Sequence, residues 1–229
     1  MQILKAWLLD TLFAIRGFIQ MYVYVKPPKK YLTHDEDKVF PILIIQGYMD
    51  RWGFIKNLAD KISDYGFAVH VLPELKNNLE DITYSAKYIS KYIEDNKLED
   101  VVIIGHSKGG LIGKYILVNE NNKKNVIGLI TISTPFLGSL MANYFKFLKS
   151  NEFEPKNKLL KELWSHHEVN KRIIAIFPKI DNVVWVKNSS LEGALENIYL
   201  NTSGHHRILF DKSAQEKIIS SINKLINLN

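Results

Sequence analysis

The chain of 229 residues contains no cysteine, which excludes disulfides, thiolate chemistry and Cys-ligated metal. No segment repeats at a fixed period, and no Ser/Gly/Pro-rich linker divides the sequence. With 46% hydrophobic residues, it reads as one globular domain with a substantial core. Lysines scattered among Asn and Ile supply most of a net charge of +6. They form no compact basic block with interleaved aromatics, so a solvated surface is expected and nucleic acid is not an expected partner.

Long uninterrupted apolar runs are also missing. The first 25 residues are strongly apolar, but Lys5, Asp10 and Arg16 break them, and the uncharged stretch that follows, 17–25, is short. A bilayer-spanning helix needs roughly 20 such residues. Asp10 also interrupts the early apolar run and no small-residue cleavage site follows, so no cleavable signal is recognised. On a helix, Gln2, Lys5, Arg16 and Gln20 fall within an arc of roughly 60°, with Asp10 outside it. Residues 1–30 are therefore expected to form an apolar, helical extension. It either packs on its own domain or on a second subunit, or meets a membrane interface. The expected location is cytoplasmic, with membrane association through this segment as the alternative.

Beyond residue 38 the pattern changes to short apolar runs at Val39–Ile45, Phe67–Leu72, Val101–Ile104, Val126–Ile132, Arg172–Phe177 and Asn197–Thr202. Most are β-branched and apolar on both faces, as in a buried parallel sheet. Helical periodicity separates them at Phe54–Tyr65, Thr83–Glu94, Leu111–Val118 and Ala214–Leu228. Alternating strand and helix predicts a doubly wound, mostly parallel six-stranded α/β sheet with helices on both faces. Ligands in such sheets sit beyond the carboxyl ends of the strands.

After Val101–Ile104 comes Gly105-His106-Ser107-Lys108-Gly109-Gly110 and then a helix. G-x-S-x-G between a strand and a helix presents the serine on a tight, strained turn, which makes Ser107 the candidate nucleophile. A serine hydroxyl needs a base, and in this arrangement an acid and then a histidine follow the serine. Only His205 and His206 lie beyond a suitable acid. A Gly-His pair followed by apolar residues three and four positions on favours His205, leaving His206 as a surface or supporting residue. Asp181, the sole carboxylate between the fifth run and Glu192, is the candidate acid that orients the ring. Donors for an oxyanion are expected from the backbone N–H groups of Lys108 and Tyr48. The Lys108 side chain is expected to be solvated. His166-His167-Glu168 carries too few ligands to argue for a metal, and no cofactor is implied.

Gly47, the GHSKGG elbow, TISTPFLGS at 131–139, DNVV at 181–184 and GHHRIL at 204–209 together resemble the small bacterial lipases and esterases of the α/β-hydrolase superfamily. The resemblance spans roughly residues 39 to 223. It departs at Gln46, where that family usually has histidine. It implies that Ser107, Asp181 and His205 are nucleophile, acid and base, that Tyr48 and Lys108 lend oxyanion amides, and that residues 31–229 form the hydrolase domain.

Residues 136–171 are a candidate cap or lid insertion. There Leu137, Leu140, Met141, Tyr144, Phe145 and Leu148 share one helical side, and Leu159, Leu160, Leu163 and Trp164 form a second cluster. They would line an acyl pocket or simply cover the sheet. The expected function is hydrolysis of carboxylic, lipid-like esters through an acyl-enzyme on Ser107. The same triad also serves acyl transfer and thioester cleavage, and a non-catalytic lipid- or partner-binding protein is the alternative from another class.

Overall fold

The computed structural model describes residues 2–33, 40–121, 125–139 and 150–229. The N-terminal extension is one helix, α1 (Gln2–Val23). The apolar runs become β1 (Pro41–Ile45), β2 (Ala68–Val71), β3 (Val101–His106), β4 (Val126–Ile132), β5 (Ile173–Ile180) and β6 (Glu196–Ser203). Between and after them come α2 (Trp52–Asp64), α3 (Ile82–Asp95), α4 (Lys108–Tyr115), α5 (Lys158–Ser165), the single turn α6 (Val186–Ser189) and α7 (Lys212–Ile226).

The six strands form one sheet in the order β2-β1-β3-β4-β5-β6, and every pair is parallel. Successive side chains of a strand point to opposite faces, and the core divides accordingly. Ile42 and Ile44 of β1 face α2 and α7, where Phe54, Leu58, Ile218 and Ile222 are buried. Leu43 and Ile45 face α3 and α4, against Ile89, Leu111 and Ile112. A strand buried on both sides has no solvent face to mark with polar residues, which is why these runs lack alternation.

The chain leaves β1 toward one edge of the sheet, to β2, and returns to place β3 on the other side of β1. The connections after β1 and β3 therefore part on opposite faces and open a crevice at the carboxyl end of the sheet. The loop holding Gly47 and Tyr48 and the elbow holding Ser107 flank that crevice.

α1 adds a layer outside α2. Phe18 meets Phe54 edge-on with ring centroids 5.8 Å apart, and Gln20 Nε2 donates to Asn57 Oδ1 at 2.8 Å. The helix is thus apolar on two sides for different reasons. Ala6, Asp10, Gly17 and Met21 face the domain, while Leu4, Leu8, Leu12, Ile15 and Ile19 face outward. α5 buries Leu160 and Leu163, with Leu159 and Trp164 partly buried beside the α3–α4 side of the core. The one-sided set Leu140, Met141, Tyr144, Phe145 and Leu148 lies outside the described residues.

Candidate active site

Ser107 caps α4 with φ 51° and ψ −115°. This left-handed conformation is disfavoured for any residue with a Cβ, and surrounding bonds hold it in place. The Ser107 N–H donates to Ile132 O at 2.8 Å, and Ser107 O accepts the N–H of Gly110 at 3.1 Å. The turn is also tight: a Cβ on Gly105 would lie 2.3 Å from the carbonyl carbon of Gly109, so no larger residue fits. Lys108 opens α4, so its N–H belongs to the first turn, where helix donors have no intrahelical acceptor. That is the place expected of an oxyanion donor. Tyr48 lies in the loop after β1.

That loop is braced without the usual histidine. Gln46 O accepts from Asn78 Nδ2 at 2.7 Å, and Gln46 Nε2 reaches Lys76 O at 3.3 Å. The segment after β2 thus braces the start of the loop.

Asp181 follows β5, and its side chain is buried. Its Oδ1 accepts the backbone N–H groups of Val183 and Val184 at 2.8 and 2.7 Å. Both carboxylate oxygens lie against His205 Nδ1, at 3.1 and 3.0 Å. His205 follows β6 and is itself buried, with its N–H donating to Asn182 Oδ1 at 3.1 Å. The two strand ends thus deliver acid and imidazole to one point. Burial alone would raise the Asp181 carboxyl, but the facing His205 and the two amides hold it below the ordinary carboxylate range. Burial disfavours the charged His205 ring, yet the Asp181 carboxylate outweighs it, with help from Asp10 and Asp50, and raises its pKa.

The doubled histidine resolves into two environments. His206 turns away from Asp181, and its Nδ1 lies 3.0 Å from Asp10 Oδ2. Asp10 Oδ1 accepts the N–H groups of His206 and Arg207 at 2.8 and 2.9 Å. An acid from α1, 1% exposed, therefore grips the turn that carries His205. Its carboxyl would rise on burial, but the His206 side chain and the two amides hold it well below the usual carboxylate range. At Gly204 φ is +106°, and an added Cβ would lie 2.4 Å from Asp10 Oδ1, so this corner requires glycine.

A third histidine joins the group. His106 Nε2 lies 3.1 Å from His205 O, where a protonated Nε2 donates to the carbonyl, and its Nδ1 is 3.5 Å from Asp50 Oδ2. The His106 and His205 rings lie 5.0 Å apart. Because His106 precedes Ser107, this bond ties the elbow to the histidine turn. Burial lowers the His106 pKa more than Asp50 raises it, so a neutral ring that donates through Nε2 is favoured.

The Lys108 side chain is not solvated. It is fully buried, with its Nζ 3.0 Å from Glu152 Oε2, donating to Glu80 O and lying over the rings of Tyr48 and Phe153. Burial lowers its pKa against the opposing pull of Glu152. Glu152 Oε1 in turn accepts the N–H of Ile82 at 2.8 Å. The long stem of a lysine placed immediately after the elbow points under the β1 loop, a direction that residue type alone does not reveal. His166 Nδ1 pairs with Glu168 Oε1 at 2.8 Å in a solvent-facing contact beyond α5.

Asp10, Asp50, His106 and Glu152 are residues that motif spacing did not single out. For Asp10 a signal existed: it is the one charged residue of the helix outside the arc of Gln2, Lys5, Arg16 and Gln20.

The PGAP1-like alpha/beta domain matches residues 64–221. A Mycoplasma pneumoniae protein named as an esterase/lipase is 26% identical over 147 residues, covering 62% of this chain and 50% of that protein. Triacylglycerol lipase 2 of Saccharomyces cerevisiae is 26% identical over 157 residues, 64% of this chain and 46% of the yeast protein. The matches thus span about half the length of these curated relatives. Among solved structures, Aspergillus fumigatus lipase B superposes with a TM-score of 0.69 at 15% identity, covering 82% of this chain and 53% of the lipase.

Proposed function

We propose that this chain, which belongs to the PGAP1-like alpha/beta domain family and has the α/β-hydrolase fold, hydrolyses carboxylic esters of lipid-like substrates through an acyl-enzyme on Ser107. The observation that carries the reading is the contact of Asp181 with His205 Nδ1 at 3.0 Å, at the same end of the sheet as a serine held at positive φ. The names of the esterase and lipase relatives support the substrate class.

In this reading Asp181 fixes a proton on His205 Nδ1 and leaves Nε2 to accept one. As Ser107 Oγ attacks the ester carbonyl, its proton passes to His205, and the carbonyl electrons move onto oxygen. The backbone N–H groups of Tyr48 and Lys108 receive that oxyanion, and preorganised donors of this kind contribute much of the barrier reduction in acyl transfer. The tetrahedral intermediate collapses, the C–O bond to the alcohol breaks, and His205 protonates the leaving oxygen. Water, deprotonated by His205, then releases the acid and restores Ser107. Raised basicity at His205 strengthens the proton-accepting step and is stabilised once the ring is charged, because Asp181 stays ionised.

The test is turnover of p-nitrophenyl esters of increasing acyl length by wild type and Ser107→Ala. The expected result is hydrolysis that falls to background in the variant, together with fluorophosphonate labelling of wild type only. Equal rates in the two proteins, or no turnover and no labelling of wild type, would overturn the assignment.

A further inference from the structure

The outward side of α1 is an apolar stripe of unusual completeness. Leu4, Leu8, Leu12, Ile15, Ile19 and Tyr22 are each about half or more exposed, with Leu4 at 76% and Tyr22 at 71%. Trp7 and Phe18 border the stripe on one edge and are partly exposed. On an ordinary soluble monomer the largest contiguous apolar patch covers roughly 300–600 Å² and often marks an interaction site. Leaving such a surface in water is unfavourable by the ordinary hydrophobic term, so it marks a contact.

Charge decides the kind of contact. Lys5 and Arg16 lie along the other edge of the stripe, and Lys26, Lys29 and Lys30 follow the end of the helix, all exposed. The single acid of α1, Asp10, is turned inward, where it bonds to His206 and two backbone amides. The outward face is therefore apolar and cationic with no carboxylate of its own helix. A second copy of the same face would bring like charges together, whereas a lipid surface with anionic headgroups complements both features. No described helix is long and apolar enough to cross a membrane, so the fitting geometry is a helix lying in the interface. Trp7 and Tyr22 would sit at headgroup depth, where amphipathic rings are favoured.

We propose that α1 seats this protein on an anionic lipid surface through its outward face. The carboxylate of Asp10 makes the seat rigid, because the same helix that lies in the lipid is bonded to the His205–Arg207 turn. The histidine end of the sheet is thereby held at a fixed position relative to the surface. Binding is read without turnover, so this inference stands or falls separately from the serine-hydrolase reading.

The experiment is flotation of the full chain with vesicles of phosphatidylcholine alone and of phosphatidylcholine mixed with phosphatidylglycerol. Wild type is expected to partition about tenfold or more in favour of the anionic vesicles at low salt, with the preference shrinking as salt screens it. Leu8→Glu/Ile15→Glu/Ile19→Glu should lose binding to both vesicles while its thermal unfolding stays close to wild type. Lys5→Glu/Lys26→Glu changes exposed charges only. It should lose the anionic preference, and it keeps the test decisive even where the triple variant fails to fold. Wild type that floats with neither vesicle, or floats equally with both at every salt, overturns the proposal. So does a wild-type dimer in sedimentation that the triple variant converts to monomer without any vesicle binding.

Discussion

The carboxylate of Asp10 and the imidazole of His206 are joined at 3.0 Å across 196 positions of the chain, and this bond makes the first helix part of the candidate site. The same carboxylate holds two backbone amides of the turn that presents His205. Two imidazole–carboxylate contacts, Asp181–His205 and Asp10–His206, thereby meet the bond from His106 Nε2 to His205 O, and together they link α1, the serine elbow and the ends of β5 and β6.

Asp10→Ala leaves two backbone amides and an imidazole without their acceptor. A loss of about 3 kcal/mol in stability is expected, since charge-assisted bonds to a buried carboxylate are among the costlier to remove. Urea unfolding measures it. The folded pKa of Asp10 is depressed, so its contribution is complete above the unfolded carboxyl pKa of about 4 and declines as pH falls through and below that value. The wild-type minus variant stability should therefore shrink on acidification. A difference that is constant down to pH 2 would contradict the role.

Gly204→Ala places a methyl group against Asp10 at a positive φ. Strain and displacement together predict a loss of about 2 kcal/mol or more. Ester turnover should drop as well, because the displaced turn carries His205. A variant with wild-type unfolding and activity would show that the corner has room.

Asp181→Asn removes the charge that fixes the His205 tautomer while keeping the shape of the side chain. Turnover is expected to fall on the order of 10⁴-fold, the scale known for this substitution in serine triads, with KM little changed. Steady-state kinetics on a p-nitrophenyl ester checks it.

The pH profile has a definite sign. His205 must be neutral to accept the serine proton, and its pKa is raised. The acid limb of kcat/KM should therefore lie above the ordinary histidine value of about 6.5. In stability terms, the raised His205 pKa contributes fully below about 6.5 and is lost as pH rises through the folded value. The depressed Asp181 pKa contributes above about 4 and is lost as pH falls. The pair thus adds most between these limits. An acid limb well below 6.5 would argue against His205 as base.

Glu152→Ala strands the buried Lys108 ammonium, and a loss of about 3–5 kcal/mol is expected. Lys108→Met/Glu152→Ala should recover a large part of it, because no charge then remains in the apolar site between Tyr48 and Phe153. A double-mutant cycle by chemical unfolding separates the pair energy from the packing change.

Sequence alone determined the alternation of strand and helix, the parallel sheet, the serine elbow and the order of acid and histidine after it. These features rest on local patterns: apolar runs without alternation, a glycine-bounded turn between a strand and a helix, and short motifs at strand ends. It also narrowed the candidate base to two adjacent histidines and favoured His205 by the spacing of the apolar residues that follow. Only the tertiary structure decided that His205 faces Asp181 while His206 faces Asp10, because the choice depends on a carboxylate delivered from the first helix. The same holds for the Lys108 side chain, buried by a glutamate 44 positions further along, and for the two-sided character of α1. A helix that is apolar nearly all round does not record which side its own domain will cover. Contacts between residues far apart in the chain leave no periodicity in the sequence, so packing alone settles them.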